Sequence, residues 1–135
     1  MIMLSDIRDS ISSLGIAKDE NCYCGILPNK PDKAIGVYNL KRSGSPDIPL
    51  GGMENRSYDE KAVSILIHWN RSQRESETAA MELFNKLLNK ELSTINQHSV
   101  NHIRLLSPEP ISVGTDEKGI VEYVIECIIF ISKGD

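Results

Sequence analysis

The chain has few cysteines, no long apolar run and no excess of positive charge. Its three cysteines, Cys22, Cys24 and Cys127, form neither an even disulfide framework nor the spacing of a zinc site. No apolar run approaches the roughly 18 residues that would cross a bilayer. The net charge of −4 gives no reason to expect sequence-independent attraction to a phosphate backbone. We therefore predict no metal, no cofactor and no membrane partner.

What the chain does contain is typical of one globular domain. Hydrophobic residues make up 40% and charged residues 25% of its 135 residues, and that length can bury a core without cross-links. We predict a single domain spanning residues 1–135. Asp6 interrupts the segment in which a secretory signal would need apolar residues, so we expect synthesis and retention in a cytoplasm.

Hydrophobic periodicity predicts two helices. Leu4, Ile7, Ile11 and Leu14 recur on one helical face, and Gly15 is a natural residue to end that helix. The second helix is predicted to begin at the capping box of Ser72 and Glu75 and to run to about Asn89. Its predicted apolar stripe consists of Ala80, Met81, Phe84, Leu87 and Leu88.

Several segments have the composition of strands. Cys22–Leu27 and Ala34–Leu40 are predicted to pair as a hairpin, and Lys61–Asn70 alternates like a half-buried strand. Ile120–Ser132 is apolar on both faces, which predicts a central strand covered on both sides or covered by a neighbouring subunit. Glu91–His102 is interpreted as a loop because its periodicity is weak.

Two short β-like segments, His102–Leu106 and Ile111–Val113, complete the predicted order of elements. The fold class that follows is α+β. We expect a mostly antiparallel or mixed sheet of about five or six strands, with two main helices packed on it.

A long polar loop, residues 41–60, is predicted between two strands. Its sequence is KRSGSPDIPLGGMENRSYDE, in which prolines and a Gly51–Gly52 pair prevent regular structure. Loops above roughly 12–15 residues are uncommon in compact domains and are usually functional or disordered. This one carries apolar and aromatic side chains that a solvated linker does not need. The candidate interface residues are Ile48, Leu50, Met53 and Tyr58.

No set of residues predicts catalysis. His68 could act as a general base, but no nucleophile or orienting carboxylate adjoins it in sequence, and we interpret it as a surface or interface residue. Asp116 and Glu117 precede Lys118–Gly119, which predicts the tip of a hairpin rather than a metal or acid–base pair. Gly51–Gly52 lacks the Lys and Ser/Thr of a phosphate-binding loop.

Several blocks of the chain follow one another in a recognisable order. They are the helix MLSDIRDSISSLGI, the run CGILP, the run AIGVYNL, the LGG that precedes VSILIHW, and the hairpin DEKGIVEYVI. In this order they resemble the phage minor capsid or tail-terminator family of tailed phages and prophages of Gram-positive bacteria. The resemblance covers nearly the whole chain. It departs at Ile65–Trp69, where the family often carries a more basic run, so the residues lining any pore stay open.

The resemblance implies a structural protein at the neck or tail end of a virion, made in the cytoplasm of a bacterial host. Family members of this type look like ring-forming tail terminators, so a homo-oligomer, expected to be a hexameric ring, would cap the tube of the major tail protein. The ring would also meet head–tail connector proteins. DNA would pass without specific binding, which suits an acidic subunit.

Two alternatives stay open. The first is a head–tail connector or stopper, which completes the head rather than the tail. The second belongs to another class: a small ligand- or nucleotide-binding enzyme domain whose binding loop is residues 41–60.

Overall fold

The structure, a computed structural model, describes residues 2–27, 31–40 and 58–132. Two helices and a mixed sheet make up this part of the chain, which confirms the α+β class. The helices are α1 (Leu4–Ser13) and α2 (Gln73–Leu88), and a short 3-10 turn covers Asp19–Asn21. The strands are β1 (Cys22–Cys24), β2 (Ala34–Asn39), β3 (Tyr58–His68), β4 (Thr94–Ile95), β5 (His98–Leu105), β6 (Ile111–Thr115) and β7 (Val121–Ser132).

Strand β7 is the centre of the sheet, as its apolar sequence predicts. The strand order is β1-β2-β3-β7-β5-β4, with β6 also paired to β7. On one edge β7 runs antiparallel to β3, in a register that opposes Tyr58 to Ser132 and His68 to Glu122. On its other edge β7 pairs first with β6 and then with β5, so these two strands lie end to end beside it.

The predicted hairpin of Cys22–Leu27 with Ala34–Leu40 is wrong. Strands β1 and β2 are neighbours, but they are parallel, with Cys22 opposite Ile35 and Cys24 opposite Val37. Strand β1 ends after three residues, where Gly25 adopts a φ of +86° and its N–H bonds to the Val37 carbonyl. In a hairpin the second strand runs antiparallel to the first. Because β2 runs parallel to β1, the chain must instead come back to the end of the sheet where β1 began before it enters β2.

The interpretation of Glu91–His102 as a loop is also wrong. This segment contains β4 and the first part of β5, joined by a tight turn at Asn96 and Gln97, whose φ values are 49° and 69°. Two consecutive positive φ values match the backbone twist of a two-residue hairpin turn. Strand β4 has only two residues and β5 is mostly exposed, so neither shows the apolar alternation from which a strand is predicted.

Strand β3 begins at Tyr58 rather than at Lys61. Tyr58, Asp59 and Glu60 therefore belong to a strand and not to the predicted loop of residues 41–60. Residues 41–57, which include Ile48, Leu50 and Met53, lie outside the described part of the chain.

Both helices begin and end as their sequences predict, except that Asn70 replaces Glu75 as the acceptor for the Ser72 N–H. The Met3 N–H donates to the Asp6 carboxylate at the start of α1, and Gly15 follows its end with a φ of +79°. At the start of α2 the Ser72 hydroxyl accepts from the Glu75 N–H. The other half of the capping box comes from Asn70, whose side-chain oxygen accepts from the Ser72 N–H at 3.0 Å.

The core lies between the two helices and one face of the sheet. The side chains of β3 and β7 that point to it are odd-numbered, such as Ile65 and Ile125, and they share one cluster with the buried residues of both helices. In α2 the predicted stripe misses Leu83, which is fully buried, and wrongly includes Leu88, which is 58% exposed. Neither described helix is long and apolar enough to cross a membrane.

Candidate assembly surface

The side of the sheet opposite the helices, which we call the open face, is the most distinctive surface of the molecule. Burial alternates along β3 and β7, and the even-numbered residues are mostly half-buried while the odd-numbered ones form the core. Within the described residues, neither helix packs on these side chains. The open face consists of Tyr58, Glu60, Ala62, Ser64 and Leu66 of β3, Glu122, Val124, Glu126, Ile128 and Phe130 of β7, and their cross-strand neighbours His102, Arg104 and Ile111.

An aromatic row crosses three strands at one end of the open face. The Phe130 ring of β7 has its centroid 5.7 Å from that of Tyr58 on β3 and 5.9 Å from that of His102 on β5. Tyr58 and Phe130 are half-buried and His102 is exposed. Aromatic side chains such as Tyr and Phe are enriched in protein interfaces relative to the rest of the protein surface.

An aliphatic row crosses the same sheet nearer its other end. Leu66 of β3 and Ile111 of β6 are the direct neighbours of Val124 on the two sides of β7. Ile111 is 36% exposed, and the other two are half-buried. Along β7, Val124 lies between Glu122 and Glu126, so charged side chains flank an apolar centre. That organisation, an apolar centre with a polar rim, is typical of a surface that binds another protein.

Strand β6 extends the open face toward solvent. All five of its residues are exposed, including Val113 at 49%, and none of them is charged. Among the described strands it pairs only with β7. A register shift at Ser112–Gly114 and a φ of +93° at Gly114 distort the strand, which is one way that proteins blunt an exposed sheet edge. The distorted backbone of β6 is therefore poorly suited to pair with a strand of another protein, whereas its exposed side chains can contact one.

A buried histidine–aspartate pair lies at the end of the sheet where β3 and β7 meet. His68 Nε2 is 2.9 Å from Asp116 Oδ2, and His68 Nδ1 is 2.9 Å from the Pro31 carbonyl oxygen. The His68 side chain is fully buried and that of Asp116 is 3% exposed. The other carboxylate oxygen of Asp116 accepts the backbone N–H groups of Lys118 and Ile120. This pair ties the turn between β6 and β7 to the end of β3.

The surroundings of Asp116 favour its ionised form. The hydrogen bond with His68 is the main cause that lowers the pKa of the Asp116 carboxyl to about 2, and the two backbone N–H groups act in the same direction against desolvation. Both ring nitrogens of His68 already face an acceptor, so in this arrangement the ring has no nitrogen left to serve as a general base.

The structure corrects the interpretation of His68 as a surface or interface residue and refines that of Asp116. His68 is buried because the Pro31 segment and the β6–β7 turn both close over the end of β3. Asp116 does stand in the predicted hairpin turn, in which Gly119 has a φ of +83°, but its carboxylate points inward. The pair is separated by 48 residues in sequence, and no local pattern could have revealed it.

The cysteines and acidic residues offer no metal centre in the described part of the chain. Cys22 and Cys127 are buried and Cys24 is exposed. Burial raises the pKa of the Cys127 thiol to about 12, so this side chain behaves as a small apolar core residue.

Of the predicted interface residues, the structure describes Tyr58 alone and assigns it to the aromatic row of the open face. The rest of the open face was not predicted as a site. Its signal is present in the sequence, because Val124, Ile128 and Phe130 place apolar side chains on the second face of β7.

A family model described as bacteriophage tail terminator protein matches residues 10–132. No curated protein matches the chain.

Proposed function

This chain belongs to the bacteriophage tail terminator family, and from that premise we propose that it closes the phage tail as a ring of identical subunits. The ring, with six subunits as the expected number, would sit on the last layer of the major tail protein. It would also contact the connector proteins of the head. The role is structural and requires no chemical turnover, and the protein would be made in the host cytoplasm and end in the virion.

The open face carries this proposal. A subunit of a closed ring needs two different surfaces, because each copy contacts the next in a head-to-tail manner. The aromatic row and the aliphatic row supply one such surface, with apolar side chains on a sheet face that neither described helix covers. Apolar side chains left half-exposed in this way typically mark a site of association.

The apolar sequence of β7 supports the same conclusion. Its odd-numbered residues are covered by the helices, whereas Val124 and Phe130 on the other face remain half-buried. Of the two sequence-based explanations for a strand apolar on both faces, coverage by a neighbouring subunit is therefore the one we propose.

The predicted loop anchors fit into the same assembly as a proposal. Tyr58 lies at the start of β3, directly after the segment that contains Ile48, Leu50 and Met53. We propose that this segment contacts the neighbouring subunit or the tail tube, next to the aromatic row. An acidic ring would let DNA pass without binding it, since like charges repel.

The test compares two aspartate substitutions of apolar residues. Val124→Asp puts a carboxylate in the centre of the open face, and Leu88→Asp puts one at the end of α2, where the side chain is already 58% exposed. Each purified variant is mixed with tail tubes, and capped tube ends are counted in electron micrographs. Circular dichroism verifies that both variants are folded.

We expect Leu88→Asp to cap tubes as the unmodified protein does and folded Val124→Asp to leave them uncapped. Capping by Val124→Asp at the unmodified level would exclude the open face from the assembly. Failure of the unmodified protein to bind either tail tubes or itself would contradict the terminator role and favour the head-side connector alternative.

A further inference from the structure

The buried pair of His68 and Asp116 has a hydrogen-bonding pattern that fixes its protonation. A neutral imidazole carries one N–H and one bare nitrogen, so it donates one hydrogen bond and accepts one. The two partners of His68 are both acceptors: the Pro31 carbonyl oxygen faces Nδ1, and a carboxylate oxygen of Asp116 faces Nε2, each at 2.9 Å. A proline carbonyl has no hydrogen to offer. Nδ1 must therefore carry a proton, and the question is which atom holds the proton between Nε2 and Asp116.

The contacts of Asp116 answer that question. Its second oxygen, Oδ1, accepts from the Lys118 N–H at 2.9 Å and from the Ile120 N–H at 3.0 Å. Backbone donors aimed at a carboxyl group favour its charged form. A neutral acid with its proton on Oδ2 would also accept both N–H groups at Oδ1, but those two donors stabilise a negative carboxylate more than a neutral acid. The arrangement therefore favours a carboxylate that accepts three hydrogen bonds, with the third proton supplied by Nε2.

We infer that His68 is held as an imidazolium in the folded protein and that it forms, with the Asp116 carboxylate, a proton-dependent clamp between the end of β3 and the β6–β7 turn. The ring then donates from both nitrogens, and every polar atom of the pair has a partner. A buried ion pair of this kind persists only when its hydrogen bonds are complete. Completeness here depends on a single proton between Nε2 and Oδ2, because without it these two buried atoms would face each other as acceptors with no donor.

Charged groups around the ring agree with this assignment. Glu122, from β7, brings a second carboxylate oxygen to 4.0 Å from Nε2, which favours a positive ring. The opposing cations are exposed: Arg71 reaches the turn through its bond to the Lys118 carbonyl, and Lys118 itself lies in the turn. Beside Pro31, Asp32 and Lys33 are also exposed and of opposite sign. The charged groups closest to the ring are thus acidic.

The shared proton joins two parts of the chain that are 48 residues apart. Without it, Nε2 and the Asp116 carboxylate would face each other as two acceptors, and the turn after β6 would lose its attachment to the end of β3.

The test measures the protonation of both ring nitrogens of His68 by ¹⁵N–¹H correlation spectra of the histidine side chains in the full-length protein. His98→Gln and His102→Gln assign the three imidazole signals. At about pH 7.5 an ordinary histidine is roughly 10% protonated. We expect His68 alone to show two protonated ring nitrogens at that pH. A neutral single-tautomer spectrum of His68 would overturn the inference.

Two variants show which carboxylate keeps the His68 ring protonated. Asp116→Asn keeps the shape but offers an amide N–H that can donate to a bare Nε2, so we expect His68 to become neutral with its proton on Nδ1. Glu122→Gln removes only the more distant carboxylate, and His68 should stay doubly protonated. A ring that remains imidazolium in Asp116→Asn would show that Asp116 is not its partner. The spectrum of the unmodified protein is recorded first. A neutral His68 in that spectrum refutes the inference even if a variant fails to fold. The result is also independent of ring assembly, since it is read from a single subunit.

Discussion

The Tyr58 ring packs against the Phe130 ring across the β3–β7 pair, with centroids 5.7 Å apart and planes inclined at 57°. An inclined arrangement places the edge of one ring near the face of the other, which aromatic pairs prefer. This contact links the end of the sequence-predicted loop to the central strand. It also forms the aromatic end of the surface that we propose for assembly.

The first prediction concerns the energy of this pair. A double-mutant cycle of Tyr58→Ala, Phe130→Ala and the double variant should give a coupling of about 0.5–1.5 kcal/mol in the free energy of unfolding. Urea titration of the unassembled protein measures it. If the losses in the free energy of unfolding of the two single variants simply add up in the double variant, the two rings do not stabilise each other.

A second prediction rests on a close approach within β2. The Tyr38 ring folds back over Gly36, so a Cβ at residue 36 would lie 2.8 Å from Tyr38 Cε2 and 3.0 Å from its hydroxyl oxygen. Gly36→Ala should destabilise the protein by about 0.5–1.5 kcal/mol, because the half-buried Tyr38 ring must leave its rotamer to make room. The measurement is the free energy of unfolding in urea.

The matched control for Gly36→Ala removes the Tyr38 ring that a Cβ at residue 36 would meet. In a Tyr38→Ala background the same Gly36→Ala change should be neutral or should stabilise by up to about 1 kcal/mol, because alanine costs less conformational entropy than glycine in a strand. An equal loss in both backgrounds would contradict the role of the Tyr38 ring. The sign of the difference is the decisive result.

The sequence predicted the elements that local patterns determine. Gly15 ends α1, Ser72 begins α2, and Ile120–Ser132 gives the central strand to within one residue. Each of these depends on neighbours within a few positions, such as a side-chain cap or an alternation of apolar residues. Local chemistry was enough to predict them.

The sequence did not predict features that depend on distant partners. The parallel pairing of β1 with β2 depends on how the chain returns after Gly25, and the burial of His68 depends on Asp116, 48 residues away. The Asn96–Gln97 turn was missed because the strands that flank it are short or mostly exposed and show no clear apolar alternation. The open face required the register of β3, β5, β6 and β7 before its residues could be grouped.

A third prediction follows from the acid side of the Asp116 titration. The pKa of this carboxyl is lowered from 3.8 to about 2 in the folded protein, so its contribution to stability is present above the unfolded value and is lost as the pH falls through about 2. Thermal unfolding should therefore show Asp116→Asn less stable than the unmodified protein at about pH 6, with a difference that shrinks as the pH approaches 2.

Glu117 provides the control for that titration, since it is the adjacent acidic residue and its side chain is exposed. Glu117→Gln should follow the unmodified protein within a few tenths of a kcal/mol across the same pH range, as surface substitutions usually do. If Asp116→Asn matched Glu117→Gln at every pH, the buried carboxylate would contribute nothing that depends on its charge.

The last prediction concerns the segment before β3. If Leu50 is an anchor between subunits, Leu50→Asp should abolish assembly on tail tubes while leaving the melting temperature of the isolated subunit unchanged, because the carboxylate then disturbs a contact that exists only in the ring. Light scattering gives the mass and thermal unfolding gives the stability. Asp47→Asn, three positions away, changes charge without removing an apolar side chain and should assemble normally. A lower melting temperature in Leu50→Asp with intact assembly would instead mean that Leu50 packs on its own subunit.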